Sequence, residues 1–390
     1  MKYGRNLDEI WTRPSFFSPR QIKHILKNSK FVATKYYLQN QIIMKRRQLF
    51  TMTAFFCCLA LVSCKKENVN GPDDSGTTTP GQTHVYVAGT TSSYGDSGPA
   101  VCWVDGTMQT LDANASDAAL AVCVKGSDVY YGGSNGDSRP VVWKNGTPQV
   151  LSNESGCVTD LKTANNKLYA CGYVSGKPVY WVDGQMVQLP VNSNDQYSLI
   201  KANAIFVSGN DIYVVGTKYI YEGDGDGAYL WKNSTLQMLS DKPAGARDVC
   251  VIGNTVYVVG SEEYESPGYE GFHKSVMWVN GAIRDIQVNT GLGSRAMAVA
   301  ELNGKPYVVL EGWCGDAWTG SYQGFAWYNE QVTKLSACQS PKDVFVHGSD
   351  VYIAGINTSF LRTAVVLKNL TKVNLSTTTT YSACYAVFVK

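Results

Sequence analysis

The chain has 390 residues, rich in Tyr (24), Gly (37) and Trp (9) and with only 17% charged residues, the make-up of a folded β-rich protein rather than a disordered or collagen-like one. Its formal charge is +2, but residues 1–64 hold eleven of the 34 basic and two of the 32 acidic side chains, which leaves 23 and 30 for the remainder, about −7. No nucleic-acid partner is expected of such a chain, because phosphate backbones call for a basic face.

In chain order the first feature is a secretory signal. "MKRRQLFTMTAFFCCLALVSC", Met44 to Cys64, has a basic start (Lys45, Arg46, Arg47) and an apolar run shorter than the ~20 residues a bilayer-spanning helix needs. Its ending, Leu61-Val62-Ser63-Cys64, resembles the bacterial lipobox. That resemblance implies cleavage before Cys64 and lipid on its thiol, hence a membrane-attached lipoprotein of the cell envelope, at the outer membrane. Residues 1–43 stand upstream of this complete signal and are read as a gene-start artefact, with translation beginning at Met44; the other reading is a disordered basic extension. Residues 65–83 ("KKENVNGPDDSGTTTPGQT") read as a flexible tether, and "KKEN" is loosely similar to the export signals of Bacteroidota surface lipoproteins.

Beyond the tether one phrase recurs: "HVYVAG", "DVYYGG", "KLYACG", "DIYVVG", "TVYVVG", "KPYVVL" and "DVYIAG". Its tyrosines fall at Tyr86, Tyr130, Tyr169, Tyr213, Tyr257, Tyr307 and Tyr352, a spacing of 39 to 50 residues. Each copy continues with a strand ending in Trp and an Asx turn ("VCWVDG", "VVWKNG", "VYWVDG"), then a short strand such as "QTL". A small-residue apolar strand such as "ALAVCVKGS" or "RDVCVIGN" follows. Asp-Gly and Asn-Gly suit both positive-φ sites of a type I′ hairpin. Four short antiparallel strands per repeat make a propeller blade.

The strand rich in Ala, Val and Cys is expected to be innermost, where blades crowd the axis. Calling the order A (AVxVxG), B (VYVAG), C (VWKNG) and D (xxL), the sequence enters at B, near Val85, and ends on an A strand, "YAVFVK". The expectation is therefore an all-β, seven-bladed β-propeller over 84–390 with four antiparallel strands per blade, the first blade closed by the C-terminal strand through pairing of Ala386–Val389 with Val85–Ala88. Closure of this kind removes sheet edges. Six or eight blades are the alternatives, since "TDLKTANN" is a degenerate A strand. The chain resembles secreted Bacteroidota lipoproteins built of propeller repeats. It lacks the Trp-Asp dipeptides of WD40 chains, the spaced Gly-Gly signature of kelch chains and the Asp-boxes of sialidases.

The repeat separates scaffold from candidates. The recurring Tyr residues and Trp103, Trp143, Trp181, Trp231, Trp278 and Trp327, with Leu367 in the seventh copy, serve every blade alike and read as packing residues. Function is expected in the unlike B–C loops of three neighbouring copies, "TKYIYEGDGDG", "SEEYESPGYEGFHKS" and "EGWCGDAWTGSYQG". They offer Tyr219, Tyr221, Tyr264, Tyr269, Phe272, Trp313, Trp318 and Tyr322, beside Glu222, Asp224, Asp226, Glu262, Glu263, Glu265 and Glu270. Flat aromatic faces stack on sugar rings while carboxylates accept from hydroxyls, so a glycan is one expected partner and an envelope protein the other. Glu222, Asp224 and Asp226 also form a candidate calcium loop, although Asn233 stands where an EF-hand needs its twelfth-position Glu.

A non-enzymatic binding scaffold is the leading reading, and a glycoside hydrolase or lyase the alternative. The alternative would use Asp160, Asp248 and Asp343, which share one register at the start of A strands beside Arg247 and Lys342. A structural cap is the other reading of that recurrence. Cys314 and Cys338 would emerge on one face, where a disulfide is permitted but not set by spacing.

Overall fold

Strand pairing closes a ring. The computed structural model describes residues 83–92, 98–114, 118–192, 198–219, 226–266, 269–315, 319–358, 362–376 and 381–390, with the side chains of 265–271 left aside. Within the unit Thr78–Lys390, the described residues form 28 strands in seven four-stranded antiparallel sheets. The inner strands, from the first blade to the seventh, are Tyr381–Val389, Ala119–Lys125, Gly156–Ala164, Leu199–Ser208, Ala244–Ile252, Gly293–Leu302 and Ser340–His347. Consecutive inner strands touch all the way round, the seventh meeting the first and the first meeting the second. The protein is a seven-bladed β-propeller, and "TDLKTA" belongs to a complete inner strand of the third blade, with Asn165-Asn166 in the turn that follows. Closure follows the expected register: Val85↔Val389, Tyr86↔Phe388, Val87↔Val387 and Ala88↔Ala386.

The turn chemistry explains the hairpins. Asp105-Gly106, Asn145-Gly146, Asp183-Gly184 and Asn280-Gly281 have positive φ at both residues, the type I′ geometry whose twist matches that of the strands. The Asx side chain also accepts a backbone N–H from the strand two turns back: Asn145 Oδ1 from Val129 at 2.8 Å and Asn369 Oδ1 from Val351 at 2.9 Å. In the sixth blade that position is Pro306, which has no N–H, and Asn329 Oδ1 accepts from Lys305 Nζ instead, at 2.7 Å.

The repeat aromatics are packing residues. Trp103, Trp143, Trp181, Trp231 and Trp278 are fully buried, and Leu367 takes the place in the seventh blade. Trp103 Nε1 donates to the Ser376 carbonyl at 2.6 Å and Trp231 Nε1 to that of Pro190 at 2.7 Å, each crossing from one blade to the loop behind its neighbour. What every blade gains is the buried apolar area, since the Nε1 groups of Trp181 and Trp278 are buried with no hydrogen-bond partner.

Two backbone features place the site. Every inner strand carries a β-bulge at the same register, with extra residues Tyr385, Leu120, Thr159, Asn203, Arg247, Met297 and Lys342 from the first blade to the seventh. Bulges re-aim side chains, and these are unlike from blade to blade. Beside the bulge the second strand needs glycine: a Cβ on Gly172 would lie 1.9 Å from the Cys157 carbonyl oxygen, and one on Gly260 1.9 Å from that of Gly245. The sixth blade breaks this rule with Leu310, fully buried opposite Ala296.

Candidate functional site

Next to Leu310, the strands open into a cavity of about 330 Å³ between the fifth and sixth blades, on the face where the B–C connections emerge. Its wall is built by the start of the fifth blade's third strand (Phe272, His273), by Leu292–Arg295, by Glu311–Trp313 and by Tyr322. Trp313 and Tyr322 are cross-strand partners, their rings edge to face at 5.1 Å and 88°. That contact locks two aromatic side chains at little further entropic cost, and Tyr322 remains 40% exposed. A second cavity of about 370 Å³ adjoins it through His273, Gly293 and Ser294 and is bordered by Tyr264.

At the inner edge sits Glu311, buried and surrounded by donors. Ser340 Oγ donates to its Oε2 at 2.5 Å, Lys342 Nζ stands 3.3 Å from the same oxygen, and Arg295 Nη1 lies 3.4 Å from Oε1. Burial alone would push this carboxyl up. Lys342, the Ser340 hydroxyl, Arg247 and Arg295 together outweigh it and hold the carboxyl below its usual range. Arg247 and Lys342 are the bulged residues of the fifth and seventh blades, so the bulge is what turns these cations toward a carboxylate on the sixth.

Of the sequence-expected aromatics, Phe272, Trp313 and Tyr322 come together in one cavity and Tyr264 borders the next. Tyr219 stands apart, with Lys201 Nζ 5.6 Å from its ring centroid. Tyr221 and Trp318 lie outside the described residues, as do Glu222, Asp224 and Cys64; Tyr269 lies in a described strand, with its side chain left aside. Asp226 is described, its N–H donating to the Lys218 carbonyl at 2.8 Å. Among the described residues no group of three or more His, Cys, Asp or Glu is placed to hold a metal ion. Glu262 does not face outward beside the rings. It is buried, accepting from Ser240 Oγ at 2.6 Å, with Lys274 Nζ 3.8 Å away. The eight cysteines beyond Cys64 are free thiols, and Cys338 is fully buried.

The three register-matched aspartates act as staples between blades. Asp160 Oδ1 accepts from Leu161 N and Oδ2 from Ile205 N of the next blade; Asp248 holds Val249 and Val299, and Asp343 holds Val344 and Val387, at 2.7–3.0 Å. Lys162, in the register elsewhere filled by Cys123, Phe206, Cys250, Ala300, Phe345 and Phe388, reaches 3.5 Å from Asp160 Oδ1. Burial pushes the Asp248 carboxyl up to about 7 and raises Asp343 also, with Lys162 opposing both. Burial would lower the Lys162 ammonium, but the three carboxylates raise it above its usual value. Its side chain keeps 42% of its surface, inside a channel that encloses it.

Arg295, Glu311 and Lys162 were not singled out from sequence. Leu310 in place of glycine, and the polar "TDLK" inside an A strand, are the departures from the repeat that mark them.

The fold and site define a β-propeller with an aromatic and cationic cavity between two blades. No protein-family profile and no curated protein matches the sequence. Among solved structures it is similar to a protein from Lactobacillus plantarum, at 14% identity and TM-score 0.45, covering 79% of this chain and all of that one. It is also similar to an exo-1,5-α-L-arabinanase from a bovine ruminal metagenomic library (8% identity, 60% of this chain and 98% of that one, TM-score 0.34). A third is apo AztD from Citrobacter koseri (12%, 79% and 98%, TM-score 0.37). At these scores the blade count rests on this chain's own strand pairing.

Proposed function

We propose that this protein is a lipid-anchored propeller of the cell envelope that binds a glycan at the cavity between its fifth and sixth blades. The observation that carries the reading is the Trp313–Tyr322 pair, two rings fixed at right angles on the wall of a cavity large enough for a sugar unit. The faces stack against the C–H groups of a saccharide, while Ser294, Arg295 and His273 supply polar contacts to its hydroxyls. The lipobox-like Leu61–Cys64 supports the membrane address.

Glycoside cleavage is the less favoured reading. It needs two carboxyl groups facing each other roughly 5–10 Å apart, one of them able to protonate a leaving group. Glu311 is held ionised by its cations and has both oxygens engaged, and the aspartates on the axis spend their oxygens on backbone amides. A glycan-array screen of the purified full chain tests the proposal: binding to a saccharide class, lost in Trp313→Ala with unchanged melting, supports it. Retention of an envelope protein with no glycan bound contradicts it.

A further inference from the structure

We infer that the ligand is an oligosaccharide read as two consecutive units, one stacked on Trp313 and Tyr322 in the first cavity and the next placing two adjacent hydroxyls on Lys274 and Asp285 in the second; this rests on the glycan reading above and extends it. The two cavities are neighbours with a common wall, since His273, Gly293 and Ser294 line both. They also meet back to back: Gly312 lines the first and Thr290 the second, and a Cβ on Gly312 would lie 2.3 Å from Thr290 Cγ2. At about 330 and 370 Å³, each is at the small end of the ~300–1,000 Å³ typical of ligand sites. A single sugar unit occupies one of them, and a chain engages both.

The second cavity offers a polar wall beside the aromatic one. Lys274 Nζ and Asp285 Oδ1 line it 2.8 Å apart, both side chains partly exposed. An ammonium fixed beside a carboxylate is the complement of two adjacent sugar hydroxyls, one accepting from Lys274 and the other donating to Asp285. Glu262, 3.8 Å from Lys274 Nζ, is buried and is not part of that wall. Tyr264 adds a ring, its hydroxyl reaching the Leu292 carbonyl at 3.5 Å. The repeat shows that the Lys274–Asp285 pair is not scaffold. Lys144–Asp128, Lys232–Asp211 and Lys368–Asp350, at 2.7–2.8 Å, recur at one register in three blades and belong to the shared frame. Asp285 instead occupies a register that holds Thr110, Val150, Gln188, Met238 and Lys334 in five other blades, none of them an acid. An exposed ion pair contributes little to stability, so a pair confined to one blade, on a cavity that adjoins the aromatic one, points to a ligand.

Isothermal titration of the full chain in detergent tests the inference, with xylose and xylobiose, glucose and cellobiose, and the mono- and disaccharide of the class the array selects. In the series that binds, the disaccharide should bind about tenfold or more tightly than its monosaccharide, the scale of a charge-assisted hydrogen bond. Asp285→Ala should cut that ratio to about threefold or less, and the isosteric Asp285→Asn should lower it too, both with melting temperatures near that of the parent because the pair is exposed. The remote Lys372→Gln should leave the ratio unchanged. A monosaccharide that binds as tightly as its disaccharide, or a gain from the second unit that survives in Asp285→Ala, overturns the two-unit inference and leaves the glycan reading standing. Absence of binding throughout, on the array as well, removes both.

Discussion

Asp343 Oδ2 accepts the backbone N–H of Val387 at 2.9 Å, and through that bond the seventh blade holds the strand that completes the first. The same staple joins the third blade to the fourth and the fifth to the sixth. At the equivalent positions Ala386, Ala121, Ala204 and Ala298 stand in the other four blades, so the staples alternate round the ring between the third blade and the first.

Deletion of residues 386–390 is expected to open the ring. It removes buried Val387 and Val389, the four pairs with Val85–Ala88 and the Asp343 staple. Each buried valine alone contributes about 1.5–3 kcal/mol, so a loss of about 4 kcal/mol or more is anticipated, visible as a collapse of the melting temperature. A truncated protein that melts like the intact one would disprove the closure.

Lys162→Met should be tolerated in acid and damaging above neutrality. In the unfolded chain an aspartate titrates near 3.9, whereas Asp248 in the fold titrates at about 7. Its folded form binds the proton more tightly, so its contribution to stability is full below the unfolded value and is lost as pH rises through about 7. Removing the cation raises Asp248 and Asp343 further. The variant's deficit should therefore be small at acid pH and grow to about 1–2 kcal/mol in mild alkali, channel water screening the rest. Equal deficits in thermal melts on both sides of neutrality would contradict this.

Gly260→Ala should cost about 3 kcal/mol or more, because its Cβ would meet the Gly245 carbonyl oxygen at 1.9 Å and only backbone movement relieves that. Denaturant unfolding measures it. A variant as stable as the parent would show that the bulge yields as easily elsewhere as it does at Leu310.

Cys64→Ala should abolish incorporation of a fatty-acid label in the native host and release the protein from the membrane fraction. A variant that stays labelled and membrane-bound would refute the lipobox reading.

The ring was legible in the sequence because every blade repeats the same local chemistry. Asn145-Gly146 turns, Trp143-type plugs and Tyr130-type strand residues each satisfy one constraint in one way, so spacing alone exposes them. The aromatic half of the site was legible for the opposite reason, since Trp313 and Tyr322 belong to a segment, "EGWCGDAWTGSYQG", that no other blade shares, although the structure puts both at the ends of paired strands. The cationic half was not. Arg247 and Lys342 look like ordinary charged residues until the bulge rotates them toward Glu311, and a bulge depends on pairing between strands, which leaves no local mark. Lys162 was hidden for the same kind of reason: beyond Asp160 beside it, its partners Asp248 and Asp343 stand 86 and 181 residues further along the chain.

The most direct test of the account is a tryptophan-fluorescence titration of the full chain with the saccharide selected on the array. A ring stacked on Trp313 should shift the emission saturably, and Trp313→Ala should lose at least tenfold in affinity, a base- or sugar-stacking loss on the scale of an aromatic contact, with melting unchanged. The same saccharide binding Trp313→Ala with undiminished affinity would contradict the assignment of this cavity.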